Sequence, residues 1–254
     1  MANTINTSLQ QNRQEPQAPD LKARYRKWMY KVVAAATGLW LFDFLLFYFQ
    51  YTNQSLESSL IRSFGNAGLT LLSAALIASA VFKWWPRTAQ YWRVRRYLGV
   101  SGFYFALLHG FFVLAFNLKW DFSILFFSFN PYENAMMFGL VALVILLVMA
   151  CTSFDKIMQG YPKNWKRIHR FVYLAFLAAI LHSLIMNPVG YKTVPGAIRF
   201  IFSILAITGM IFWFFKTAFR AHFRSAGTVV GIVLIILAIA AFWYAYEKGL
   251  ILGN

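Results

Sequence analysis

KRIHRFVYLAFLAAILHSLIM, residues Lys166–Met186, begins among basic side chains and then continues from Phe171 to Met186 without a formal charge. A helix needs about 20 mostly apolar residues to cross the hydrocarbon core of a bilayer. This stretch supplies them, with its cations gathered at one end, where Lys and Arg mark the cytoplasmic side. Its unusual content is histidine: the chain has 4, and two of them, His169 and His182, fall in this one span.

The rest of the chain matches that reading. Of 254 residues, 60% are hydrophobic, 19% aromatic and only 13% charged, which is too apolar for an ordinary water-soluble domain. Ile168–Met186 is the fifth of seven candidate spans, the others being Trp28–Tyr51, Asn66–Trp85, Tyr97–Leu118, Ala135–Thr152, Ala197–Phe215 and Thr228–Tyr246. The expected fold is therefore an all-α integral membrane helical bundle of about seven transmembrane helices. Nineteen of the 24 basic residues fall in the tail and alternate loops, against five on the other side; this places the N-terminus in the cytoplasm and the C-terminus outside. Trp28, Trp84, Trp85, Trp120, Trp165 and Tyr246 lie at span boundaries, where aromatic side chains suit the headgroup region.

Three organisational expectations follow. Residues 1–27, rich in Asn, Gln and charge, form a disordered cytoplasmic tail rather than a cleaved signal. Residues 28–218 form the transmembrane core, and 219–254 a basic loop and an additional C-terminal helix. The formal charge of +16 is scattered between apolar runs, so it makes no basic face for nucleic acid. The single cysteine, Cys151, excludes an internal disulfide, a thiolate-held iron–sulfur cluster and a CxxCH attachment motif; it reads as a small buried residue near a membrane boundary. No GxGxxG opens an αβ pattern, so no flavin or nicotinamide domain is expected.

The histidines can be compared by depth. His109 lies 13 residues after Arg96 and His182 lies 12 after Arg170, so both imidazoles sit about 18 to 20 Å beyond the inner arginines. Two imidazoles at one level on separate helices can hold a haem from both sides. Gly102 and Ala106 precede His109, and Ala175, Ala178 and Ala179 precede His182; such small residues leave room for a flat ring. The competing reading is two helix-packing histidines bonded to backbone carbonyls, with Ala and Gly serving helix contact.

The remaining candidates are less well placed. His169 lies at the cytoplasmic end, turned about 140° from His182 on an ideal helix, with Arg96 where a partner ligand would stand. It is read as a ligand of an inner haem, a quinone or flavin contact, or an interfacial histidine. His222, in FRAHFRS, reads as solvated. Asp43, the only acid well inside a span, either orients a ligand imidazole, carries a proton, or is a protonated carboxyl bonded to a neighbouring helix. Arg95, Arg96, Arg167 and Arg170 set topology, and are also candidate partners for haem propionates.

At RRYLGVSGFYFALLHG, residues 95–110, and WKRIHRFVYLAFLAAILH, residues 165–182, the chain resembles the ferric reductase-like transmembrane family. Within that family it is similar to the stand-alone haem-binding membrane subunits of bacterial periplasmic methionine sulfoxide reductase systems. The resemblance covers about residues 30–215 and implies a six-helix core in the inner membrane. It implies b-type haem held by His109 and His182, with His169 a further candidate and thus one haem or two. It also implies electrons drawn from the quinone pool or a cytoplasmic flavin donor and delivered to a periplasmic oxidoreductase. Wider members carry two histidines on each of two helices and a cytoplasmic flavin domain; here Arg96 replaces the fourth ligand, no such domain is present, and a seventh span is added.

The leading expectation is thus a membrane electron-transfer subunit, its partner docking on the outer loops Leu118–Asn134 and Asn187–Gly196. The alternatives are a stand-alone transmembrane ferric or oxygen reductase, and a haem-free proton or ion transporter using Asp43, His109 and His182.

Overall fold

The computed structural model describes residues 21–128, 133–154, 160–187 and 192–220, with positions 157 and 190; His222 and the expected seventh span lie outside the described residues. Every regular element among the described residues is helical: α1 Leu21–Leu46, α2 Leu56–Trp84, α3 Trp92–Phe112, α4 Met136–Cys151, α5 Pro162–Ile168, α6 Val172–Met186 and α7 Val194–Arg220. Tyr25–Tyr51, Leu56–Phe82, Trp92–Asn117, Lys163–Met186 and Val194–Ile211 are long and apolar enough to cross a membrane, and Met136–Cys151 is a shorter apolar helix. The chain is a multi-pass membrane protein with an all-α bundle.

Three expected boundaries shift. Helix α1 begins at Leu21 rather than Trp28, so residues 21–27, expected to belong to a disordered tail, are helical. α2 starts at Leu56 rather than Asn66, because Ser55 caps it by accepting from the Ser58 N–H at 3.3 Å. The polar residues that hid this turn from hydropathy meet their needs within the helix. Ser59 Oγ donates to Ser55 O at 2.6 Å, Thr70 Oγ1 to Asn66 O at 2.9 Å and Ser73 Oγ to Leu69 O at 2.8 Å. The opening segment, in turn, is not one continuous α-helix: it breaks into a 3-10 turn at His169–Phe171, so an ideal-helix rotation does not describe His169. Cys151, expected to be buried, is exposed at the last residue of α4.

α2 is the central helix. It packs against α1, α3, α6 and α7, and 61% of its most apolar window is buried, against at most 33% in the other long spans. Its contact with α3 is a seam of small residues. A Cβ on Gly68 would stand 3.1 Å from the Ala106 N and 3.3 Å from Gly102 O; a Cβ on Gly102 would stand 3.1 Å from Gly68 O and 3.0 Å from Leu72 Cγ. Membrane helices gain no hydrophobic drive from association, so close van der Waals packing of this kind must hold them. Gly102 therefore serves helix approach, not room for a cofactor.

The apolar core lies inward of the site described below. Leu72, Phe103, Leu146, Ala175 and Ala206 are buried together, one residue from each of α2, α3, α4, α6 and α7. At the outer side, α1 and α3 end alike. Each passes into a π turn, Phe47–Tyr51 or Val113–Asn117, which inserts an extra residue into the helical ladder. Each then turns through two residues in the left-handed region: Asn53 and Gln54 at φ 47° and 61°, Lys119 and Trp120 at φ 47° and 66°.

The seam is testable. Gly102→Leu is expected to destabilise the detergent-solubilised protein by about 1–3 kcal/mol, because the facing atoms include backbone that cannot yield. An unchanged thermal midpoint would show that α2 and α3 do not meet as described.

Candidate functional site

His109 on α3 and His182 on α6 come together near the outer ends of their helices. Their ring centres are 6.2 Å apart and the ring planes are inclined by 69°. α3 and α6 themselves make little direct contact, each being backed by a different helix, α2 or α4. The two imidazoles therefore reach toward one another across a gap between helix pairs.

Each imidazole is held by the same device. His109 Nδ1 lies 2.9 Å from the carbonyl of Ile61 on α2, and His182 Nδ1 lies 3.0 Å from the carbonyl of Ala135 at the start of α4. Four residues after each carbonyl stands a glycine in van der Waals contact with the same ring. A Cβ on Gly65 would be 2.9 Å from His109 Nδ1, and one on Gly139 would be 3.0 Å from His182 Nδ1. Glycine is required at both places because any side chain would occupy the ring's position.

This arrangement decides the tautomer. A carbonyl oxygen only accepts, so each Nδ1 carries the proton and donates it, leaving a lone pair on Nε2. Neither Nε2 has a hydrogen-bond partner among the described residues. A backbone carbonyl on the far nitrogen is the usual way of orienting a ligating imidazole. Metal–imidazole bonds of about 2.0–2.1 Å, with roughly 1.1 Å from each nitrogen to its ring centre, separate two trans rings by about 6.3 Å. The observed 6.2 Å fits one metal between them. Among the described residues no group of three or more His, Cys, Asp or Glu could hold a bare ion, so the pair suits a metal that brings its own equatorial ligands, as haem does.

Asp43 is at the expected depth but does not touch either ring's Nδ1. It is 0% exposed, and its Oδ2 accepts from Asn66 Nδ2 at 2.7 Å. Asn66 follows Gly65, the seat of His109, and its Nδ2 also donates to Pro195 O at 3.1 Å. One amide thus ties α1, α2 and the first turn of α7. Arg199, on that same helix, is 7% exposed. Its place in the sequence suggests an outer-loop cation; it is instead buried one turn after Pro195, which Asn66 ties to the helix that seats His109.

His169 is elsewhere. Its Nδ1 donates to Trp165 O at 3.1 Å, its Nε2 lies 3.3 Å from Ser153 Oγ, and its ring packs on Trp165 at 4.2 Å. Arg95 and Arg96 bear on it electrostatically, and Arg95 and Arg170 bear on Tyr173. These groups form an inner cluster, with Arg167 exposed nearby, and among the described residues no other imidazole joins His169. Sequence reasoning passed over Gly65, Gly139, Asn66 and Arg199. The available signal was a glycine or polar residue inside an otherwise apolar helical run.

With these features placed, comparison with known proteins is informative. Residues 64–180 match the ferric reductase like transmembrane component family. The matched region includes His109 and both seat glycines, and ends two residues before His182. The chain is 30% identical over 118 residues to the protein-methionine-sulfoxide reductase heme-binding subunit MsrQ of Pasteurella multocida, covering 46% of this chain and 56% of the relative. The corresponding subunit of Pectobacterium carotovorum is 30% identical over 120 residues, 47% of this chain and 60% of that protein. Magnetosome protein MamZ of Magnetospirillum gryphiswaldense is 31% identical over 96 residues, 37% of this chain but 14% of its own length. The chain thus spans little more than half of the first two relatives. The resemblance to the ferric reductase-like family noted from RRYLGVSGFYFALLHG is borne out.

The seats make a prediction. Gly65→Ala and Gly139→Ala should each displace the facing imidazole by several tenths of an ångström, since the facing ring atoms lie inside normal Cβ contact. Visible spectra of haem-loaded protein should show a weakened or mixed-spin site in each variant, whereas Gly38→Ala, with nothing within 4 Å of its Cβ, should not differ from the parent. Unperturbed spectra in both seat variants would contradict this geometry.

Proposed function

We propose that the chain is a membrane electron-transfer subunit that holds one b-type haem between His109 and His182 and passes electrons toward an acceptor at the outer face. The observation carrying this reading is the pair itself: two imidazoles at 6.2 Å, each with Nδ1–H spent on a backbone carbonyl. The relatives named as heme-binding subunits support it. When bound, the haem supplies a one-electron ferric/ferrous couple whose potential is set by axial ligands, burial and surrounding charge.

The chain's own residues do the rest. Ile61 and Ala135 fix the ligand tautomers, Gly65 and Gly139 fix the ring positions, and the α2–α3 seam holds one ligand helix against its seat. Donors proposed are the quinone pool or a cytoplasmic flavin reductase, reaching the inner cluster of Arg95, Arg96, His169 and Arg170. The proposed acceptor is a periplasmic oxidoreductase of the methionine sulfoxide reductase kind, docked on the loops 118–134 and 187–196, in a bacterial inner membrane. A second haem on His169 has less support, because both its ring nitrogens have protein partners.

A proton relay through Asp43, His109 and His182 is also less supported. Asp43 is bonded to Asn66, and both Nδ1–H groups are committed to carbonyls, so the three groups do not form a chain of exchangeable hydrogen bonds.

The purified protein, supplied with haem, is expected to show a low-spin Soret band that shifts on reduction. His109→Ala and His182→Ala should each abolish that low-spin site. The steep ring inclination predicts a highly anisotropic ferric low-spin resonance rather than a rhombic one. A parent protein without a Soret band sinks the haem reading, and an unaltered spectrum in either alanine variant refutes the ligand pair.

A further inference from the structure

Arg199 is a cation buried at membrane depth, a costly placement that calls for compensation. Resting on the haem reading above, we propose that Arg199, on the α7 face that Asn66 ties to α2, anchors an acidic side arm of the macrocycle held by His109 and His182. The chemical class is a carboxylate on the cofactor's own rim, approached from α7.

Placement comes first. Pro195, Arg199 and Ser203 recur every four residues along α7 and are all buried, so they share one face. That face meets α2. Pro195 O accepts from Asn66 Nδ2 at 3.1 Å, and Ser203 Oγ lies 3.5 Å from Ser73 Oγ. Arg199 stands between these two contacts, beside the residue that follows the His109 seat.

Its level in the bundle then relates it to the pair. Gly65 of α2 stands against His109, and Asn66, which bonds Pro195 one turn before Arg199, directly follows that seat. The buried face of α7 thus meets α2 next to the seat of His109, on a side from which the rim of a flat cofactor can be approached.

Chemistry supplies the rest. A guanidinium has five N–H donors in a planar fork that matches a carboxylate bidentately. Asp43 is engaged by Asn66 at 2.7 Å. A haem side arm offers a carboxylate that such a fork fits. The arginines expected for this role, Arg95, Arg96, Arg167 and Arg170, lie at the other end of their helices, about 18 to 20 Å inward, out of reach of a cofactor at the outer pair.

The test uses full-length apoprotein from haem-deficient cells, in detergent, titrated with protohaem and with protohaem dimethyl ester, whose carboxylates are masked. The parent is expected to bind protohaem at least about tenfold tighter than the ester, the scale of one buried charge-assisted contact. Arg199→Met should bring that ratio near one while retaining the low-spin two-imidazole spectrum; Arg199→Lys should restore part of it. An undiminished ratio in Arg199→Met, or no discrimination by the parent, overturns the assignment while leaving the ligand pair intact. If the Met variant does not fold, Arg199→Lys decides, since loss of the fork must lower the ratio and an unchanged ratio again overturns it. A parent with no low-spin spectrum from either form removes the haem reading itself.

Discussion

A neutral imidazole keeps its one proton on the nitrogen that faces an acceptor and leaves the other with a lone pair; for His109 and His182 that acceptor is a backbone carbonyl on a neighbouring helix. Most of what distinguishes this bundle follows from that requirement. A carbonyl inside a helix is ordinarily shielded by the side chains around it. It becomes reachable where the residue one turn further on is glycine, and Gly65 and Gly139 stand four residues after Ile61 and Ala135. The neighbouring helix must then approach closely enough for a ring to fill the glycine's missing side chain. The α2–α3 seam of Gly68, Gly102 and Ala106 gives that approach for His109. The same solution, repeated on α4 and α6, makes the site a pair of matched halves.

The bilayer imposes the second constraint, since a polar group at that depth must find its partner within the protein. Two buried asparagines meet this beside the histidine carbonyls and seats. Asn66 joins Asp43 to Pro195 O next to Gly65, while Asn134, next to Ala135, donates to Leu125 O at 2.8 Å and Ser128 O at 3.1 Å. Each amide pins an outer connection to a helix that carries a seat. Polar chemistry is thereby concentrated at the outer level, and the layer beneath it is mainly apolar apart from the buried Ser73–Ser203 contact.

How far the sequence discloses this depends on the length scale of each signal. Hydropathy integrates over about 19 residues, so it finds spans well; the five described helices long enough to cross, and the shorter apolar one, lie where apolar runs place them. Counting rise from inner cations finds depth, and it brings Asp43, His109 and His182 to one level. Neither measure reports which helix faces which. Ser59, Ser63 and Asn66 lower local hydropathy and conceal the first turns of α2, though the two hydroxyls donate within their own helix and the amide donates to Asp43 and Pro195. Arg199 looks like a loop cation by its nearness to a boundary, and only the packing of α7 on α2 reveals its burial. His169 misleads in the opposite sense: its neighbours in HRFVY are memorable, yet a 3-10 turn gives both its nitrogens local partners.

The layer of Leu72, Phe103, Leu146, Ala175 and Ala206 beneath the histidines carries a consequence for energetics. Close-packed hydrocarbon of this kind admits an electron by tunnelling, and the lone Ser73–Ser203 contact within it is too short to carry protons across. In the proposed role, negative charge therefore moves outward unaccompanied across a low-dielectric barrier. In a cell whose interior is negative, that displacement is electrically downhill for a negative charge and is driven by up to about 2.3 kcal/mol per 100 mV for a full crossing. The apolar floor thus ties the outward reaction to the energised state of the membrane, and any protons consumed at the outer surface must be drawn from that surface.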